Sequence, residues 1–367
     1  MKHYGVLLLT VVLVMSLSGV VWGESELDGK YVTFKDTTGK VITRTAHEVN
    51  VGDEYINSEN HLYRVIGITG QTAQVKLIKE DALKASAWSN IRSFVFGLIS
   101  GEFFGAQARP KGPVCVYHTH SDESYIQGDG TSSLRGRGGI FDIGDTLTNA
   151  FEQNGIPVVH SRTPHDPHDA AAYDRSRRTA AQLLRNRPAC LLDIHRDAVP
   201  REEYASVINN QGVTKVQLVV GRQNPNFQAN NDFAKQIKAT CDKRSPGLVK
   251  GIFYGKGKYN QDLGPRSMLI EVGSHTNSKA AAERGARIFA AAAKDVLYGN
   301  AGSGFINRGS MRSIFWVVVA ALGGIGLYLL LNREGLKDIK KEFTGALGEQ
   351  PDRERPESKQ DKNGDSP

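Results

Sequence analysis

Three short runs concentrate residue types that bind metals or move protons. His118-Thr119-His120-Ser121-Asp122-Glu123 puts two imidazoles and two carboxylates close together. Asp193-Ile194-His195-Arg196-Asp197 adds a third imidazole between two more carboxylates. Glu271 interrupts the apolar stretch Met268 to Val272 and is followed by Gly273-Ser274-His275-Thr276-Asn277. Imidazole and carboxylate are natural zinc ligands, and three protein ligands with one open position make a catalytic site. A further carboxylate beside such a metal can take a proton from water and return it to a leaving amine. The chemistry would then be metal-assisted hydrolysis, with Glu271 the carboxylate beside the metal-bound water. Asp193 and Asp197 are candidates to orient His195 through its second ring nitrogen. Arg196 suits a substrate carboxylate through its guanidinium fork, or else an ion pair. The structural alternative for Glu271 is a salt bridge, because a buried carboxylate without a partner is costly.

Each run follows a strand-like segment. Val114 to Tyr117 precedes the first, Ala189 to Ile194 leads through the second, and Ser267 to Val272 carries the third. Further strands are expected at Pro157 to His160 and Lys215 to Gly221. Helical spacing marks Asp142 to Gln153, Asp169 to Arg187, Asn226 to Lys243 and Ser278 to Tyr298. Strands alternating with helices predict an α/β fold, a largely parallel sheet flanked by helices. In such sheets ligands bind beyond the carboxyl ends of the strands, which is where the three runs fall. Read as i and i+2 of a strand, His118 and His120 face the same side. His118 is therefore the alternative ligand, or a hydrogen-bond partner of the substrate. His160, His165 and His168 lie in a Pro-containing loop and are expected at the surface. Of three cysteines, Cys115 and Cys190 sit in apolar strands. They read as packed thiols, with a bond between them left open.

Residues 24–84 carry short alternating runs and Gly turns, the pattern of a small β-rich module, and show no chemical constellation. Residues 85–112 read as a linker, with an amphipathic turn or two at Trp88 to Leu98, and residues 113–300 as the catalytic domain. Two apolar stretches bound this arrangement. Tyr4 to Gly23, behind Lys2, has the form of a signal peptide or an N-terminal anchor within residues 1–23. Ile314 to Leu331 reads as a transmembrane helix over residues 313–331. Arg333, Lys337, Lys340 and Lys341 follow it, so the C-terminus is expected in the cytoplasm and the domain outside it. The tail, residues 332–367, ends in Pro, Gly and charged or amide residues and is expected to be disordered. The net charge of +7 is spread over the chain and does not indicate nucleic-acid binding.

Tyr117-His-Thr-His-Ser-Asp-Glu-Ser-Tyr125, Asp193-Ile-His-Arg-Asp-Ala198 and Glu271-Val-Gly-Ser-His-Thr-Asn277 together resemble the stage II sporulation protein P family. The resemblance covers about residues 113 to 298, in the family's order. It implies an exported, membrane-anchored peptidoglycan hydrolase related to zinc-dependent N-acetylmuramoyl-L-alanine amidases. It further implies cleavage of the amide between glycan and stem peptide and of peptide cross-links. The setting would be septal remodelling during engulfment, with stage II sporulation proteins D and M as partners. Carried over residue by residue, His120, Glu123 and His195 become the Zn2+ ligands and Glu271 the catalytic acid/base. Asn277 joins Asp193, Arg196 and Asp197 as a supporting or substrate-binding residue. The apolar segment at Ile314 to Leu331 departs from the family's pattern, in which only an N-terminal anchor is expected. Two other readings compete. His118-Thr-His120-Ser-Asp122 opens like the metallo-β-lactamase signature, though Glu123 stands where that signature has His, and helices follow where that fold needs a β-sandwich. A non-catalytic envelope-binding scaffold is the second.

Overall fold

The central strands of the sheet are buried on both faces, whereas the N-terminal strands alternate buried with exposed residues. The computed structural model describes residues 27, 29–83 and 112–298, with Gly324 beyond them. All but Gly324 belong to one compact unit, residues 1–299. The first five strands are β1 (Val32–Lys35), β2 (Val41–Thr45), β3 (Glu54–Ile56), β4 (Leu62–Thr69) and β5 (Thr72–Lys79). After residue 112 come β6 (Val114–Tyr117), α1 (Ile140–Glu152), β7 (Val158–His160), α2 (Ala172–Leu184) and β8 (Cys190–Asp197). A hairpin of β9 (Ala205–Ile208) and β10 (Gln211–Thr214) stands apart. The chain closes with β11 (Val216–Gly221), α3 (Phe227–Arg244), β12 (Val249–Gly255), β13 (Ser267–Ser274) and α4 (Lys279–Tyr298).

Eleven strands form one sheet in the order β2-β1-β5-β4-β3-β12-β11-β13-β8-β6-β7. The β strands expected as a separate module therefore extend the α/β sheet, through antiparallel pairing of β3 with β12. In the α/β part β12-β11 and β13-β8-β6-β7 are parallel, and β11 runs antiparallel to β13. The sheet as a whole is mixed, because β3, β4 and β5 pair antiparallel. "Largely parallel" holds for the α/β part alone.

Alternation decides what covers each face. Val114, Val116, Leu192, Ile194, Ile270 and Val272 pack into the core that also holds Leu147, Phe151, Phe233 and Phe289 of α1, α3 and α4. The intervening residues point the other way. Cys115, Tyr117 and Leu191 meet Ala180 and Leu183 of α2. Val219, Phe253 and Leu269 meet Phe34, Val65 and Val75 of the N-terminal strands. The opposite face of β13 is thus covered by residues 29–83, and Glu271, two residues after Leu269, points towards that cover.

No helix among the described residues is long and apolar enough to cross a membrane. The apolar stretches at 4–23 and 314–331, the turn at Trp88 to Leu98 and the tail 332–367 lie outside the described residues.

Candidate active site

β6 ends at Tyr117, so His118, Thr119 and His120 lie on the loop that leaves it. The premise that His118 and His120 share a strand face therefore fails, and the two rings go separate ways. His118 places Nδ1 3.0 Å from the Ile194 carbonyl and Nε2 2.8 Å from His160 Nε2. Both of its nitrogens are engaged away from Glu123, and the alternative ligand role has no support in this arrangement. α1 passes close to this pair at Gly144. A Cβ there would lie 2.5 Å from His160 Cε1 and 2.7 Å from His118 Nε2.

His120, Glu123 and His195 are all buried, and one ligand atom from each lies within 4.8 Å of the others. His120 Nδ1 is 3.4 Å from Glu123 Oε1, and His195 Nδ1 is 3.3 Å from the same oxygen. Two ligand atoms at ~2.0–2.1 Å from a tetrahedral zinc stand roughly 3.3 Å apart, and both imidazole-to-carboxylate distances match that spacing. The other ring nitrogen of His195 lies 3.0 Å from Asp193 Oδ1. Asp193 is itself held by the Thr119 N–H at 2.8 Å and the Thr119 hydroxyl at 2.5 Å. This carboxylate–imidazole arrangement fixes the ring's tautomer and orientation. The Arg196 N–H donates to Glu123 Oε2 at 2.9 Å. Burial opposes the charge on Glu123, but His195 and the Arg196 guanidinium outweigh it and hold the carboxyl well below its usual range. One carboxylate oxygen and two imidazole nitrogens converge here within ligand-atom spacing. The buried His-Glu-His group fits a metal site.

Glu271 lies directly beside His195, its register partner on the parallel strand β8. The carboxylate is fully buried, and burial raises its pKa to about 7. That is where a general base works best. Its Oε1 lies 2.9 Å from Nε2 of His47, a residue of the N-terminal β segment. The segment, expected to show no chemical constellation, thus places an imidazole against Glu271. No periodic signal could have revealed it, because His47 sits just past β2 in an irregular stretch.

The supporting residues divide. Arg196 lines a cleft of about 410 Å³ beside the group, together with His120, Asp122, Ser133, His168 and His275. Its guanidinium also donates to the Ser132 carbonyl at 3.3 Å. Asp197 does not orient His195. Its Oδ1 accepts from the Ala46 N–H at 3.0 Å and its Oδ2 from the Tyr204 hydroxyl at 2.9 Å, which ties the N-terminal segment down. Asn277 closes the turn after β13, accepting from the Ser274 N–H at 2.9 Å and donating to the Arg201 carbonyl at 3.1 Å.

The three histidines expected in a surface loop are placed otherwise: His160 ends β7, and the loop carrying His165 and His168 packs inward. His165 is buried, with Nδ1 2.7 Å from the His118 carbonyl and Nε2 2.8 Å from the Thr179 hydroxyl. His168 stacks on His120 at 3.9 Å between centroids and reaches Asp122 at 2.9 Å. The loop folds back over the residues that follow β6. Two histidines so soon after β7, itself ending in a third, are the available signal. Cys115, Cys190 and Cys241 are all free and buried, which settles the open pairing in favour of packed thiols.

The fold and site define a helix-flanked α/β protein with a buried His-Glu-His group of metal-binding type and a carboxylate on the adjoining strand. The chain belongs to the stage II sporulation protein P family, whose model matches residues 36–294. Stage II sporulation protein P of Bacillus subtilis (strain 168) is 29% identical over 214 residues, 52% of this chain and 53% of that protein. The match thus spans about half the length of that relative. Among solved structures, N-acetylmuramoyl-L-alanine amidase AmiC2 of Nostoc punctiforme is similar at a TM-score of 0.33 and 14% identity, over 52% of this chain and 99% of that one. The CwlD amidase from Clostridioides difficile, in complex with the GerS lipoprotein, is similar at 0.32 and 14%, over 50% and 94%. Likeness at that level leaves the chemistry of this chain to be read from its own residues.

Proposed function

We propose that this chain is a zinc-dependent peptidoglycan hydrolase that cleaves the amide between glycan and stem peptide. The observation that carries the reading is the pairing of a buried His120-Glu123-His195 group with a buried carboxylate, Glu271, on the neighbouring strand. A cation held by the three side chains would polarise the scissile carbonyl and make water a better nucleophile. The chain's own residues do the rest. Asp193 keeps the His195 ring oriented with Nδ1 towards Glu123. Glu271 takes the proton of the attacking water and passes it to the leaving nitrogen. Arg196, on the wall of the cleft, suits a stem-peptide carboxylate. The metallo-β-lactamase-like alternative needs a β-sandwich, whereas among the described residues one eleven-stranded sheet with helices packed on it carries the site.

The family resemblance supports peptidoglycan as substrate, cross-links as a second target, septal remodelling in sporulation as the setting, and stage II sporulation proteins D and M as partners. The apolar stretches at 4–23 and 314–331 support membrane attachment, with residues 24–312 outside the cytoplasm and the C-terminus within it. The test is incubation of the purified chain with peptidoglycan sacculi, with and without a chelator. Release of stem peptides that carry a new amino terminus, abolished by chelation and restored by zinc, is the expected result. Intact sacculi under every condition would leave a non-catalytic envelope-binding protein.

A further inference from the structure

We propose that His47 is a positioning residue for the Glu271 carboxylate, so that the N-terminal β segment completes the active site. The inference rests on the catalytic reading of Glu271 and extends it to a part of the chain with no other chemical role. His47 and Glu271 approach to 2.9 Å, with side chains 5% and 0% exposed. Alternation along β13 turns Glu271 towards the face that residues 29–83 cover, and His47 is the residue of that cover which reaches it.

The ring is held from several directions. It stacks on Phe253 of β12 at 5.4 Å and 19°, and meets the Tyr259 ring edge-on at 6.0 Å. The backbone N–H of His47 donates to the Thr45 hydroxyl at 3.2 Å, which fixes the residue's main chain. The preceding residues are pinned to the α/β part. The Ala46 N–H donates to Asp197, Lys250 Nζ donates to the Arg44 carbonyl at 2.6 Å, and the Arg44 guanidinium pairs with Glu203 at 2.6 Å. Asp197 lies two residues past His195, the register partner of Glu271. The strand that delivers Glu271 and the segment that delivers His47 are thus locked to the same short piece of β8. A carboxylate buried on an apolar strand has several rotamers of similar energy unless a partner selects one. A fixed imidazole at 2.9 Å selects one, and positioning of this kind is worth up to roughly 100-fold in rate.

The test compares His47→Phe and His47→Gln in the full chain, alone and combined with Glu271→Gln. Each preparation is assayed for metal content, melting temperature and the kcat and KM of peptidoglycan hydrolysis. His47→Phe keeps the stack on Phe253 but loses the polar contact. It should lower kcat about 10- to 100-fold at unchanged KM and full metal content. His47→Gln should recover part of that loss. In the Glu271→Gln background His47→Phe should have no further effect, because the residue it acts through is gone. Equal fractional losses in both backgrounds, or a kcat within about twofold of the parent for folded, metal-loaded His47→Phe, would overturn the proposal. A second readout is independent of turnover. In chain carrying ¹⁵N-histidine, the His47 ring signal should shift on Glu271→Gln, and an unmoved signal would overturn the contact. If the unaltered chain cleaves nothing, the functional reading fails, and the ring signal alone decides on His47.

Discussion

Glu271 and His195 sit opposite each other on parallel neighbours β13 and β8, so their side chains stand on the same face of the sheet. One belongs to the candidate metal group and the other is the candidate base. Their spacing is set by strand pairing rather than by a loop, and sites built on strands hold their geometry more closely than sites built on loops. His120 and Glu123 come instead from the segment after β6, whose residues 118–125 are all buried. It is braced by Thr119 on Asp193 and by His165 on the His118 carbonyl.

Asp193 and Asp197 flank His195 symmetrically in sequence but not in role. Asp193→Asn removes the carboxylate behind the His195 ring and should lower metal affinity about 10- to 100-fold. Competition against a chromogenic chelator measures this. Asp197→Asn should leave affinity unchanged and lower stability by about 1–3 kcal/mol, since Ala46 and Tyr204 lose their charged acceptor.

Gly144 lies where α1 crosses the His118–His160 pair. Gly144→Ala places a methyl group against both rings, each of which is held by a hydrogen bond on its far nitrogen. The overpacking should cost about 1–3 kcal/mol, visible as a lower melting temperature. A neutral or stabilising change would show that the loop after β6 shifts freely.

Much of this arrangement is legible in the sequence because strand ends and ligand types coincide there. Val114 to Tyr117 and Ser267 to Val272 announce themselves by apolar runs, and the residues around them by chemistry. β12 escaped because Val249-Lys-Gly-Ile-Phe-Tyr-Gly is buried on both faces and shows no alternation, while Lys250 and Gly251 suggest a loop. Without β12 the N-terminal strands had nothing to join, and they read as a separate module. The shared strand face expected of His118 and His120 is absent because the strand ends one residue before His118. His47 was unreadable because its partner is distant in sequence and only the sheet brings the two together.

The thiols give a check on the core. Burial pushes Cys115 up to about 11 and Cys241 up to about 12, and raises Cys190 further. The thiolate is the reactive form, so at pH 8 the folded chain should not react with a disulfide reagent. Three equivalents should react on unfolding in denaturant. Rapid reaction of Cys115 or Cys190 without denaturant would contradict the packing of β6 and β8.

The most direct test of the account is the turnover of Glu271→Gln per folded, metal-loaded molecule. The substitution keeps size and shape and removes the proton acceptor. A positioned acid/base contributes typically ~10²–10⁴ in rate. The account predicts a chain that folds, holds its metal and binds peptidoglycan, with release of stem peptides reduced at least about 100-fold. Near-normal release from such a preparation would remove Glu271 from the mechanism and leave its contact with His47 a structural one.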